Sequence, residues 1–122
     1  GKVARHEGAS LVLAQVKSLS GNLPVVVTGD FNAVPEDDPI KVLTDANDPR
    51  CLTHTRTVAP LRYGPEWTFH DFGRIPLEKR EWIDYIFVKG NIKVLRHGVL
   101  AESLGNLYPS DHCPVISRIL IQ

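Results

Sequence analysis

The stretch VVVTGDFNAVPEDDP, Val25 to Pro39, changes character at its centre. Three β-branched valines give way to Gly29-Asp30-Phe31-Asn32, then to more acid and two prolines. The continuous apolar run predicts a strand over 23–28, central in its sheet and covered on both faces. Side chains alternate along an extended chain, so Asp30 and Asn32 leave the strand on one side and Phe31 on the other. Phe31 can then anchor the turn in the core while a carboxylate and an amide project together. Strand carboxyl ends are where α/β proteins often carry chemistry. Asp and Asn also favour turns and helix caps for purely local reasons, and this stretch alone leaves both readings open. It does not make a calcium loop, because Asp30-Phe31-Asn32 lacks the later glycine and acid of an EF-hand.

Upstream, Ala9, Val12, Leu13 and Val16 recur at helical spacing, and Gly21 supplies the left-handed stop. This helix begins almost at Gly1, which leads us to expect that sequence precedes it, with any targeting segment; location is therefore unknown. Downstream, Asp38-Pro39 resembles an N-cap followed by proline at the first helical position, opening a short helix through Ile40, Val42 and Leu43. Residues 47–65, rich in turn formers, are expected to be irregular. Segments 67–69, 82–88, 92–101 and 115–121 read as strands. The pattern is mixed α/β in one small domain: 122 residues, 43% of them hydrophobic, suit a packed core. With 14 basic and 14 acidic residues there is no global field drawing the chain to nucleic acid or acidic membrane. No apolar run is long enough to span a bilayer. Cys51 and Cys113 are too few for a disulfide scaffold and are expected to be free thiols.

Two more segments bear on chemistry. In WIDYIFV, residues 82–88, alternation sets Asp84 mid-strand on a face shared with Trp82, Ile86 and Val88. A buried, unpaired carboxylate costs several kcal/mol on the order of the transfer scales, so Asp84 needs a partner. A histidine suits it, because a carboxylate fixes the imidazole tautomer and favours its charged form. YPSDHCPV, residues 108–115, offers one: Ser110-Asp111-His112 stands in a proline-flanked loop just before the last strand.

Gly29-Asp30-Phe31-Asn32, Ile83-Asp84-Tyr85 and Ser110-Asp111-His112-Cys113-Pro114-Val115, in this order, resemble the endonuclease/exonuclease/phosphatase family. Trp67-Thr68-Phe69-His70-Asp71-Phe72 is similar to a Thr-Phe-His-Gly-Phe stretch of bacterial members, with Asp71 in place of the glycine. The resemblance implies an α/β (α+β) fold: half of a four-layer α/β sandwich of the DNase I-like type, mostly antiparallel sheet with flanking helices. Residues 1–122 match the carboxyl-terminal half of a single such domain. The motifs that carry the principal metal-binding glutamate and a substrate-positioning asparagine have no counterpart here.

That resemblance implies a divalent-metal-dependent phosphoesterase that hydrolyses a phosphodiester by water attack. Asp30 would orient and deprotonate the water, with Asn32 holding the water or a phosphate oxygen. His112, positioned by Asp84, would donate to the phosphoryl group. Asp111, with Asp30, would contribute to a magnesium or manganese site. Thr68 and His70 are candidates for substrate contact, a structural role being as good a reading of His70. His6, His54 and His97 read as ordinary surface or loop residues, and Asp37 and Asp38 as helix caps. Expected partners are a phosphate-ester substrate, nucleic acid among the candidates, and either the missing amino-terminal half or a second copy. The neutral charge balance argues mildly against a dedicated duplex-DNA enzyme. Within the family, a phosphomonoesterase or a sphingomyelinase-like enzyme is the alternative. Outside it stand a catalytically silent half-domain acting as a binding module and a zinc module using Cys51, His54, His112 and Cys113, whose second ligand pair is badly spaced.

Overall fold

In the computed structural model, which describes all of residues 1–122, the helical spacing at the amino end folds as α1, Lys2–Ser20. Ala9 and Leu13 are buried, Val12 and Val16 pack beside them, and Gly21 stops the helix at φ 56° with its N–H on the Lys17 carbonyl. There follow β1 (Val25–Asp30), α2 (Asp38–Thr44), β2 (Thr53–His54), α3 (Thr55–Val58) and β3 (Leu61–Tyr63). A 3-10 turn at Leu77–Lys79 leads to β4 (Asp84–Lys89), β5 (Ile92–Val99) and β6 (Val115–Ile121). The strands form two three-stranded sheets, β1-β4-β2 and β3-β5-β6, antiparallel except for β3 beside β5. This is the mixed α/β, mostly antiparallel architecture expected from the sequence.

Alternation along β4 separates two environments. Tyr85 and Phe87 point into the main core with Leu13, Leu43 and Leu52. Phe31 meets both rings edge-on, at 5.7 and 5.3 Å between centroids. Such contacts add about 0.5–1.5 kcal/mol each to the burial of apolar area. The residue after β1 is thus fixed in the core while its neighbours stay outside. On the other face of this sheet Val88 is buried but Val26 on the edge strand is 45% exposed, and in the second sheet Ile116 and Leu120 of β6 are 54% and 49% exposed. No helix is long and apolar enough to cross a membrane. Both cysteines are free.

Several expectations need correction. β1 is an edge strand, not a central one; β4 takes the centre. A run apolar on both faces calls for two covers, and here Val26 on one of them is left 45% exposed. Segment 47–65 carries β2, α3 and β3, each of four residues or fewer and so too short to leave a periodic signal. Residues 67–69 form no strand, since only Phe69 bridges, to Glu81 and to His112. β4 begins at Asp84, so this carboxylate stands at a strand end rather than mid-strand. The N-cap of α2 is Asp37, one residue earlier than expected, while Asp38 pairs with His6. His54 and His97 are buried rather than superficial, because their rings pack on Trp82 and His97 Nδ1 joins the Thr55 and Ser117 hydroxyls.

Candidate active site

The antiparallel register of β1 and β4 sets Asp30 directly opposite Asp84. Like charges facing across a strand pair are destabilising unless something lies between them. The imidazole of His112 does so: Nδ1 donates to Asp84 Oδ2 at 2.8 Å, and Nε2 faces Asp30 Oδ2 at 3.8 Å. Two residues far apart in the chain thereby meet, as the need of Asp84 for a partner required. The turn at the end of β1 belongs to the same arrangement. Asn32 adopts φ 49°, a left-handed conformation that asparagine tolerates, and its N–H donates to Asp30 Oδ1 at 2.9 Å. One carboxylate oxygen closes the turn and leaves the other free toward His112.

Thr68 joins the two loops that carry this pair. Its hydroxyl accepts the N–H groups of Ile83 and Asp84 at 3.0 and 3.2 Å, and its carbonyl accepts that of Cys113 at 2.7 Å. The side chain is fully buried and holds the backbone on either side of the Asp84–His112 contact. Ser110 Oγ accepts the His112 N–H at 3.1 Å, and the Asp111 carbonyl accepts the N–H groups of His70 and Asp71. The Phe69 ring lies 4.9 Å from that of His112.

Burial alone would lower the pKa of His112. The hydrogen bond and charge of Asp84, followed by the charges of Asp30 and Asp111, outweigh it and raise the pKa. With Nδ1–H fixed on Asp84, protonation places the second proton on Nε2, facing Asp30. The ring is then a cationic donor aimed at the open end of the site. Asp30, Asp84 and His112 offer ligand atoms within 4.8 Å of one another. None of Asp30, Asp84 and Asp111 pairs with lysine or arginine; His112 is the cationic partner of the first two. Three carboxylates around one imidazole leave excess negative charge and hard oxygen donors, a set that fits Mg2+ or Mn2+.

Asp30, Asn32, Asp84, Asp111 and His112 therefore gather at one end of the β1/β4 pair, with Asp111 outside the tight group of three. Thr68, expected to touch substrate, has its hydroxyl on backbone and no exposed surface. His70 is 4% exposed and borders a cavity beside His112. Cys51, His54, His112 and Cys113 do not converge as a zinc set. Arg80, absent from the sequence reading, stacks on Trp67 near His112; its only signal was an arginine shortly before the Asp84 motif.

Comparison with known proteins gives a consistent result. The model of the "Endonuclease/Exonuclease/phosphatase family" matches residues 4–112. Protein angel of Drosophila melanogaster is 30% identical over 104 residues, 84% of this chain and 28% of its own length. The crystal structure of an endonuclease/exonuclease/phosphatase from Bacteroides vulgatus superposes with a TM-score of 0.91 at 34% identity, over 100% of this chain and 46% of that one. A mannosyl-6-phosphatase from Bacteroides thetaiotaomicron gives 0.84 at 32%, over 98% and 47%. The chain spans less than half the length of each of these proteins.

Proposed function

The chain belongs to the endonuclease/exonuclease/phosphatase family, and from that premise we propose that it carries the acid–base half of a metal-dependent phosphoesterase site. The substrate is a phosphodiester, cleaved by attack of water on phosphorus. Water supplies the new P–O bond, the ester P–O bond breaks, and the products are a phosphomonoester and an alcohol. Asp30 Oδ2 takes the proton from the attacking water, and the Asn32 amide holds that water or a phosphoryl oxygen. His112 Nε2–H donates to a phosphoryl oxygen, steadied by Asp84 through Nδ1. Thr68 is a positioning residue in this scheme, and His70 belongs to the surroundings of the substrate.

Asp30 and Asp111 would hold Mg2+ or Mn2+, with further ligands from the rest of the domain. When bound, the cation supplies charge neutralisation on the non-bridging oxygens. The observation that supports this reading most is His112, bonded to Asp84 at 2.8 Å and facing Asp30 at 3.8 Å. A second reading, phosphomonoester hydrolysis, has the likeness to the mannosyl-6-phosphatase in its favour.

Turnover of the complete protein on a dinucleotide diester and on a hexose 6-phosphate, each with Mg2+ and with EDTA, tests both. Faster cleavage of the diester, abolished by EDTA, is expected. Faster cleavage of the sugar phosphate establishes the second reading, and turnover unchanged in EDTA rules out the metal-dependent mechanism.

A further inference from the structure

Beside the His112 ring lies a cavity of about 70 Å³ that the roles above do not use, walled by Trp67, His70, Arg80, Tyr108 and Cys113 among others. Arg80 is held rigidly there. Its Nε donates to the Ile75 carbonyl at 2.7 Å and its guanidinium lies 4.4 Å from the centre of the Trp67 ring. No carboxylate pairs with it. The cation is thus fixed at one end and uncompensated at the other.

His70 is equally constrained. Its Nδ1 accepts the N–H of Gly73 at 3.0 Å, which puts the ring proton on Nε2. Gly73 has φ 79°, and a Cβ there would come within 2.8 Å of the Tyr108 side chain; this close approach lays Tyr108 over His70 at 5.0 Å. The His70 Nε2–H makes no hydrogen bond within the protein and keeps contact with open space, unlike the wholly enclosed Nε2 atoms of His54 and His97. Glu102 also borders the cavity, but its carboxylate accepts the Tyr63 hydroxyl.

We propose that this cavity is a subsite for a second phosphate carried by the substrate next to the scissile one, with Arg80 and His70 Nε2–H as its donors. The inference rests on the phosphoesterase reading above and adds a substrate class to it. A planar guanidinium held at one edge presents its remaining N–H groups to phosphate oxygens in the geometry that arginine suits best. The second phosphate is either the next one along a nucleic-acid strand or the other end of a small bisphosphorylated molecule.

Two measurements on the complete protein decide the matter. In the first, inorganic phosphate is titrated while the Trp67 indole N–H resonance is followed, since Arg80 sits on that ring. A saturable shift is expected in wild type, with affinity about tenfold weaker in Arg80→Met and reduced in His70→Ala. In the second, hydrolysis of two-phosphate substrates is compared with that of a one-phosphate diester, using a trinucleotide and a sugar bisphosphate. Arg80→Met should lower the two-phosphate to one-phosphate ratio of kcat/KM about tenfold, whereas a merely structural Arg80 lowers both equally. Loss confined to the trinucleotide identifies a strand as the source, and loss confined to the sugar bisphosphate identifies a small molecule. An unchanged ratio together with an unchanged Trp67 titration overturns the subsite. Absence of any hydrolysis in wild type defeats the functional reading instead, and the phosphate titration still decides whether the subsite exists.

Discussion

At a single residue, Asp84, the chemistry of His112 is set. Its carboxylate fixes the His112 tautomer, so Asp84→Asn, nearly isosteric, should lower phosphoesterase turnover about 10²-fold or more. The Nδ1–H resonance of His112 should lose its downfield position in the variant. Retained turnover with an altered resonance would separate the contact from catalysis. The need of this side chain for a partner was legible from its apolar neighbours in 82–88, although the mid-strand position that alternation suggested is a strand end. The 108–115 loop offered His112 as that partner and the resemblance strengthened the pairing, but the place of Asp30 on the far side of the ring was read from neither, because no local pattern reaches across residues 28 or more positions apart. His54 and His97 were misread for the same kind of reason: burial of a histidine depends on which distant rings and hydroxyls it meets. Arg80 gave no sign of its stacked position, since a lone arginine in a loop has no period to betray it.

Elements add the scaffolding, and Thr68 shows how. It belongs to no strand, yet its hydroxyl holds the start of β4 and its carbonyl holds the residue after His112. Thr68→Val keeps the shape and removes the acceptor, leaving buried N–H groups unpaired at about 1–3 kcal/mol each. Chemical denaturation should show a loss of that order, with Thr68→Ser restoring most of it; a Thr68→Val protein of wild-type stability would remove Thr68 from this role. A second consequence concerns β2 and β5, which bury His54 and His97. Burial, with the His97 ring and nearby Arg56, pushes His54 down to about 3; burial, with Arg56 and Arg62, pushes His97 down to about 4. The folded state therefore refuses protons that the unfolded chain accepts below about 6.5. Stability should fall as pH drops from about 6.5 toward 4, by on the order of 2–3 kcal/mol for each ring. Denaturation midpoints across that range check it: His97→Gln should flatten the slope, and an unaltered slope would assign the acid sensitivity elsewhere. The short elements of 47–65 that create this environment were illegible because each is shorter than any hydrophobic period.

At the scale of the whole molecule, the open face of the sheets sets the terms. Val26, Ile116 and Leu120 are each about half exposed, which is unusual for alternating apolar positions on strands. An apolar sheet face of this kind calls for a covering layer. The family relatives are more than twice as long as this chain, and we propose that their additional half provides the cover and the missing metal-binding glutamate. Residues 1–122 expressed alone should associate or melt without cooperativity and should hydrolyse no phosphate ester. A cooperative, active monomer would contradict that view. The central claim, that Asp30 and His112 act together on a phosphate ester, is tested most directly by one measurement. It is the Mg2+-supported turnover of a phosphodiester by the complete protein in wild type, Asp30→Asn and His112→Ala. A loss on the order of 10²-fold or more is expected in each variant with the fold retained; wild-type turnover in either would contradict the joint role of Asp30 and His112.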